Sequence, residues 1–352
     1  MRFRHVRLES FAHDLAPREV ASAELEERLA PLYARLGLSV GRLELMSGIR
    51  TRRFYPAGTR PSTIAAAAGE RALARSRLAR ERVGALVHAG VCRDFLEPAT
   101  AAIVHERLKL APGCVLFDLS NACLGFANAL CVVASMIERE EIECGLVVSG
   151  EDGGPLVEST LRALLENPRA GRAELKRAHA SLTIGAGGAA MLLAHERLAP
   201  DAPCLAGGVT RAATEHNRLC QGDHAEGFDG PLMETDSEAL LAAGNALAAR
   251  TWLLFLEELG WRAEEVERIV THQVGSAHRR LLFETLGLDL GRDFPTVAEF
   301  GNVGSVSLPL SYSLGRERGF LQPGQKTGLL GIGSGLACLM LGLDAPRAPR
   351  AG

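Results

Sequence analysis

A long-period internal repeat constrains this chain more than any other feature of its sequence. Residues 81–91 (Glu81-Arg-Val-Gly-Ala-Leu-Val-His-Ala-Gly-Val91) resemble residues 264–274 (Glu264-Glu-Val-Glu-Arg-Ile-Val-Thr-His-Gln-Val274), and Gly145-Leu-Val-Val matches Gly328-Leu-Leu-Gly, both at an offset of 183 residues. In each copy a charged helix end runs into a short apolar strand. A helix follows (99–110 and 276–286), then a strand (114–119 and 294–300), an apolar helix (122–138 and 303–318), a third strand and a final one (189–194 and 337–343). Strands alternating with helices predict α/β layering, and unbroken apolar runs such as Cys144-Gly-Leu-Val-Val148 suit strands buried on both faces. The expected molecule is therefore a pseudo-twofold body of two βαβαβ-type halves, 1–200 and 201–352. The first half carries an insertion at 151–182 with a helical pattern over 157–165, the kind of segment in which lids and partner contacts reside. A linker rich in Gly, Pro, Asp and Asn spans 201–236, and 237–259 reads as a long buried helix.

Composition narrows the functional classes. Of 352 residues, 47% are hydrophobic and 23% charged, as in ordinary globular proteins, while aromatic residues are only 5%, so the core must be aliphatic. A net charge of −3 with no run of five like charges leaves no electrostatic footprint for nucleic acid. The N-terminus is charged with no apolar stretch behind it, and the apolar stretch 184–194 is too short to span a bilayer; a cytoplasmic protein without a transmembrane segment is expected. The eight cysteines include no CxxC pair and no metal-ligand cluster, so no metal or cofactor is expected.

One cysteine differs from the rest. Asp118-Leu-Ser-Asn-Ala-Cys-Leu-Gly-Phe-Ala-Asn128 puts Cys123 between an apolar strand and an apolar helix. At a helix N-terminus the macrodipole would stabilise a thiolate and lower its pKa, which makes a nucleophile. Cys131, Cys144 and Cys338 lie inside apolar runs and read as core, and Cys92 is a weaker rival in a loop. A cysteine nucleophile needs a base and an oxyanion site. Thr271-His-Gln-Val274 ends a strand with His272, and Glu299-Phe-Gly-Asn-Val-Gly304 puts Asn302 on the turn that corresponds to the one carrying Cys123. His278, further along, reads as solvated. Pseudosymmetry would bring these turns together. The glycine-rich Gly331-Ile-Gly-Ser-Gly-Leu336 lacks the Lys-Ser/Thr of a P-loop and is followed by a strand, so close backbone approach to a reacting carbonyl, with Ser334 beside it, is the better reading.

Cys, His and Asn on corresponding turns of two duplicated halves resemble the thiolase superfamily, over nearly the whole chain. The triad is similar to that of ketoacyl synthase III, which condenses an acyl group with malonyl carrier protein. The local strings, His272-Gln-Val-Gly, Asn302-Val-Gly, Gly331-Ile-Gly-Ser-Gly-Leu and Gly90-Val-Cys-Arg-Asp-Phe-Leu-Glu-Pro98, look much more like the OleA family of head-to-head acyl-CoA condensing enzymes of long-chain olefin biosynthesis. That resemblance implies a thiolase-like α-β-α-β-α fold, fatty acyl-CoA or acyl carrier protein substrates, and a homodimer. It also implies that the glutamate matching Glu97 is contributed by the partner subunit as base. Chemistry gives that glutamate independent weight. A malonyl donor makes its carbanion by losing carbon dioxide, whereas joining two ordinary acyl thioesters requires removal of an α-proton. Pro98 and the apolar Phe95-Leu96 favour a partly buried carboxyl with raised pKa. Gly48-Ile-Arg-Thr-Arg-Arg-Phe54 is similar to the Gly-Ile-x-x-Arg-Arg stretch of these synthases, and for Arg50, Arg52 and Arg53 contact with CoA phosphates and ordinary ion pairing both fit.

Overall fold

In the computed structural model, which describes residues 1–224 and 230–344, the apolar runs become strands of one mixed sheet. The strands are β1 (Val6–Leu15), β2 (Arg18–Ala21), β3 (Thr51–Phe54), β4 (Val83–Ala89), β5 (Val115–Leu119), β6 (Cys144–Asp152), β7 (Ala186–His195), β8 (Cys204–Ala212), β9 (Cys220–His224), β10 (Pro231–Thr235), β11 (Arg268–Thr271), β12 (Thr327–Gly333) and β13 (Ala337–Asp344). Nine of them form the sheet β11-β12-β13-β8-β1-β7-β6-β4-β5; β2 with β3 and β9 with β10 make small antiparallel pairs.

Read outward from its middle, the sheet order repeats. On one side β1, β7, β6 and β4 are joined by antiparallel, antiparallel and parallel pairings; on the other β8, β13, β12 and β11 are joined in the same sequence of pairings. The two runs meet at a single register pair, Arg7 with Cys204. The Pro61–Arg75 and Thr100–Leu108 helices cover the outer face of the first run, and the Ser237–Leu259 and Ser276–Leu286 helices serve the second. Between the runs lie the Gly125–Glu138 and Ser307–Glu317 helices, in one aliphatic cluster with residues from both. The result is the layered thiolase-like architecture expected.

The central helices are built differently. Gly125–Glu138 is apolar nearly all round, as a helix enclosed on most sides must be. Ser307–Glu317 is buried from Ser307 to Gly315 despite its serines, because their hydroxyls are spent locally: Ser311 Oγ donates to the Ser307 carbonyl at 2.8 Å, and Ser313 Oγ meets His13 Nδ1 at 2.8 Å.

Several expectations need correction. Residues 294–300 are not a strand: the second run keeps only a bridge at Asp293, paired with Ile269, and then turns into a short helix, Val297–Phe300. The Gln273 side chain imposes this, its Oε1 accepting the Thr296 and Val297 N–H groups at 2.9 and 3.1 Å and its Nε2 donating to the Phe294 carbonyl at 2.7 Å. Both seam strands, β1 and β8, escape the sequence reading. Polar Arg7, Ser10 and Asp14 are buried in β1, while β8 carries Gly207 and Gly208, where an added Cβ would lie 2.1 Å from the Met1 carbonyl and 2.0 Å from the Met340 carbonyl. The Ser237–Leu259 helix is buried on one face only, with Leu253 68% exposed. It is also long and apolar enough to cross a membrane by length and composition, a match that the sequence reading missed, yet it packs on β8 and β13.

Candidate active site

Cys123 lies in the sharp turn between β5 and the Gly125–Glu138 helix. Ala122, just before it, has φ +45°, in the left-handed region that costs an L-residue roughly 1–2 kcal/mol, and the turn is closed by Leu124 N–H to the Asn121 carbonyl and Gly125 N–H to the Ala122 carbonyl. The expected lowered pKa is reversed: burial pushes the Cys123 thiol up to about 12, with the Glu151 carboxylate and the Cys220 thiol adding and its own backbone N–H opposing. The helix begins only at Gly125, and a dipole contribution of about 1 kcal/mol does not offset that desolvation. Cys131, Cys144 and Cys338 are buried core residues, and Cys92 is enclosed beside Glu151, with its thiol raised well above the usual range.

His272 follows the end of β11. Its backbone N–H donates to the Leu330 carbonyl at 2.9 Å, and its Nε2 lies 3.3 Å from Asn302 Oδ1. Burial lowers its pKa to about 4, although Asn302 and the Ile332 carbonyl both accept from the ring and favour the charged form. A neutral imidazole has a single N–H, and here two acceptors compete for it. His278, expected to be solvated, is half-buried with a lowered pKa and depresses that of His272 further.

Asn302 is held by the other half of the chain. Its N–H donates to the Thr183 carbonyl at 3.0 Å, and its own carbonyl accepts the Gly185 N–H at 2.9 Å. The approach is so close that a Cβ on Gly185 would stand 2.2 Å from the Phe300 carbonyl oxygen. Gly304 N–H at 3.0 Å and Ser307 Oγ at 3.5 Å point at Oδ1, which orients the amide and leaves Nδ2 to donate elsewhere. Asn302 thus acts as a donor fixed by three acceptor contacts, including the one to His272.

The Cys123 turn reaches this pair through the glycine motif. Added Cβ atoms on Gly331 and Gly333 would lie 2.5 and 3.0 Å from the Leu124 side chain, so these β12 glycines admit the residue after Cys123. Ser334, half-buried, opens the tight turn to β13. Cys123, His272, Asn302 and Ser334 therefore gather at the end of β12. Glu97 does not join them: it is exposed in the loop after β4, not partly buried as expected. Of the three arginines, Arg52 is wholly buried, Arg53 pairs with Glu19 at 3.0 Å, and Arg50 is exposed.

Sequence reasoning missed Gln273, which shapes the segment leading to Asn302, and Glu151, 4% exposed at the end of β6. A carboxylate directly after an unbroken apolar strand was the available signal for the second, since open α/β sheets bind ligands beyond the carboxyl ends of their strands.

The His272 environment carries a stability consequence. Its folded pKa of about 4 lies below the unfolded value of 6.5, so between those values the unfolded chain binds more protons. Stability therefore falls as pH drops from 6.5 towards 4, by at most about 3 kcal/mol from this residue. Urea unfolding of His272→Asn across that window is expected to show a correspondingly smaller acid loss than wild type.

The chain resembles known proteins along its whole length. The models for 3-oxoacyl-[acyl-carrier-protein (ACP)] synthase III and for its C-terminal part match residues 117–203 and 256–342. An acyl-CoA:acyl-CoA alkyltransferase of Xanthomonas campestris is 39% identical over 97% of this chain and 98% of its own, and one of Shewanella oneidensis is 37% identical over 97% and 99%. A β-ketoacyl-[acyl-carrier-protein] synthase III of Neisseria gonorrhoeae is more distant, at 28% over 83% of this chain and 86% of its own. The crystal structure of a cysteine-to-alanine variant of Xanthomonas campestris OleA superposes with a TM-score of 0.93 at 39% identity over 98% of both chains. A cysteine-to-serine variant with bound lauric acid and lauroyl-CoA gives 0.91 at 38% identity over 97% and 99%. With its cysteine turn, its buried histidine–asparagine pair and these likenesses, the chain belongs to the acyl-CoA:acyl-CoA alkyltransferase (OleA) family of thiolase-superfamily condensing enzymes, which are carbon–carbon bond-forming acyltransferases.

Proposed function

We propose that this protein joins two long-chain fatty acyl-CoA thioesters head to head through a Cys123 acyl-enzyme, giving a β-ketoacyl thioester or, after hydrolysis, a β-keto acid. The convergence of Cys123 with the His272–Asn302 pair at the end of β12 carries the reading. Cys123 attacks the first thioester, the backbone N–H groups at Cys123 and near Ser334 stabilise the oxyanion, and the C–S bond to CoA breaks, with the Cys123 proton passing to CoA so that it leaves as the thiol. Both partners are uncharged at rest, the thiol protonated and the imidazole neutral, so the thiolate forms only as a thioester arrives. Asn302 Nδ2 and the single N–H of a neutral His272, turned from its protein acceptor to the incoming substrate, then hold the carbonyl of the second thioester. Glu97 removes its α-proton, the resulting enolate is stabilised by the same two donors, and its carbon attacks the acyl-enzyme.

In this reading Glu97 acts from a second copy of the chain, as its exposure in the single chain favours. The exposed loop that bears it lies beside β5, the strand at the sheet's open edge, and Val91, Phe95, Leu96 and Val115 are 56, 43, 91 and 49% exposed there. A homodimer closed along that edge would cover these side chains and carry each Glu97 towards the partner's site. Leu96→Arg combined with Val115→Arg is expected to yield monomers in analytical ultracentrifugation and to lower turnover at least a hundredfold. The two structural units are taken as 1–200 and 201–352, and the enzyme as cytoplasmic.

The deciding experiment supplies lauroyl-CoA alone. A β-keto product containing both chains, formed without any malonyl donor, is expected. Strict dependence on malonyl carrier protein with release of carbon dioxide would instead make the protein a decarboxylating ketoacyl synthase III, the more distant relative.

A further inference from the structure

One buried carboxylate takes no part in the chemistry described so far, yet it binds both the root of the Glu97 loop and the turn after Asn302. Glu151 ends β6, is 4% exposed, and has no cation paired with it among the described residues. Hydrogen-bond donors surround it instead. Val91 N–H reaches Oε1 at 3.0 Å and Cys92 N–H reaches Oε2 at 3.1 Å, while Ser305 donates to Oε1 from its hydroxyl at 2.7 Å and from its N–H at 3.3 Å. A charge so buried is expensive unless its hydrogen bonds are met, and charge-assisted bonds of this kind are the stronger class.

The donors come from distant parts of the chain. Val91 and Cys92 form the root of the loop that bears Glu97, and Ser305 stands three residues after Asn302. The Cys123 turn closes the ring: Gly90 N–H donates to the Leu119 carbonyl at 3.1 Å, and a Cβ on Gly125 would lie 3.3 Å from the Gly90 nitrogen. Added Cβ atoms on Gly90 and Gly304 would in turn press on the Glu151 carboxylate at 3.0 and 3.2 Å, so both glycines make room for it. Ser149 Oγ, 3.0 Å from Ser305 Oγ, extends the network, and Ser305 Oγ also lies 3.3 Å from the Ala89 carbonyl.

We infer that Glu151 is a positioning residue of this enzyme, whose carboxylate clamps the root of the Glu97 loop to the Asn302 turn beside Cys123. It thereby links two sites of the dimer, since the loop rooted next to one Cys123 delivers its tip to the partner. The inference rests on the proposed roles of Cys123, Asn302 and Glu97. Besides holding geometry, the carboxylate disfavours a thiolate at Cys123; Cys92 and His88 also feel its charge, and Cys220 is the other titratable group acting on Cys123.

Two substitutions separate reach from charge. Glu151→Gln keeps the length but removes the charge and turns an amide N–H₂ towards N–H donors; Glu151→Asp keeps the charge and falls short of the donors. Lauroyl-CoA turnover, the acyl-enzyme mass on Cys123 and the rate of iodoacetamide labelling of the Cys123 peptide from pH 7 to 10 are measured for each. Both variants are expected to lose at least tenfold in kcat with KM changed less than threefold. Labelling of Cys123 at a given pH should accelerate about tenfold in Glu151→Gln and stay within twofold of wild type in Glu151→Asp. Turnover within twofold of wild type in either variant overturns the inference, as does a kcat loss in Glu151→Gln without faster labelling. If both variants fail to fold, Ser305→Ala decides: a kcat loss of threefold or more supports the clamp, and wild-type kcat overturns it. Wild type that yields β-keto product only with a malonyl donor refutes the proposed reaction instead, and the labelling comparison then still tests Glu151.

Discussion

Cys123→Ala is expected to release no CoA from lauroyl-CoA above the uncatalysed background and to show no acyl adduct by intact-protein mass spectrometry. Cys131, Cys144 and Cys338 are enclosed in the core and offer no substitute nucleophile. Removing a covalent nucleophile commonly costs about 10⁴-fold or more, equivalent to about 5 kcal/mol of barrier. The fold should survive, because the thiol makes no hydrogen bond that the turn depends on; Leu124 and Gly125 close it through their own N–H groups. A variant that keeps even a hundredth of wild-type CoA release would remove Cys123 from the mechanism.

Glu97→Gln is expected to divide the reaction. The first thioester should still acylate Cys123, because nothing in that step requires the glutamate, whereas the condensed product should fall about a thousandfold or more, as when a general base is removed with no substitute at hand. Mixing supplies the sharper test. Glu97→Gln chains exchanged with Cys123→Ala chains should recover about a quarter of wild-type turnover, since random pairing makes half the dimers mixed and each mixed dimer has one complete site. A base acting within its own chain would recover nothing. The exposure of Glu97 in the single chain favours the first outcome.

How far the site could be read from sequence depended on the range of the interactions. The turn carrying Cys123 was legible because a strand-to-helix junction is a local pattern. His272 and Asn302 were legible because the repeat maps them onto corresponding turns. The electrostatics were not. A local rule predicts a lowered thiol pKa, but desolvation, Glu151 and Cys220 are supplied by segments far away in the chain, and they prevail. The same limit explains 294–300, whose strand-like composition yields to the Gln273 amide more than twenty residues earlier. β1 was missed because its buried face includes Arg7, Ser10 and Asp14, which hydropathy scores as exposed; Arg7 is accepted there through Glu196 at 2.6 Å.

Legible from sequence alone were the α/β class, most of the repeated alternation of strands and helices, the aliphatic core and the strand-to-helix turn that carries Cys123. These follow from periodicity, glycine placement and side-chain chemistry, all expressed within a few residues of chain. Only the folded arrangement sets the upward shift of the Cys123 thiol and the downward shift of His272, the ring of hydrogen-bond donors around Glu151 and the exposure of Glu97. A proton's affinity depends on the solvent and charges within several ångströms of it, and folding fills that space with residues more than a hundred positions apart, as Ser305 and Glu151 are.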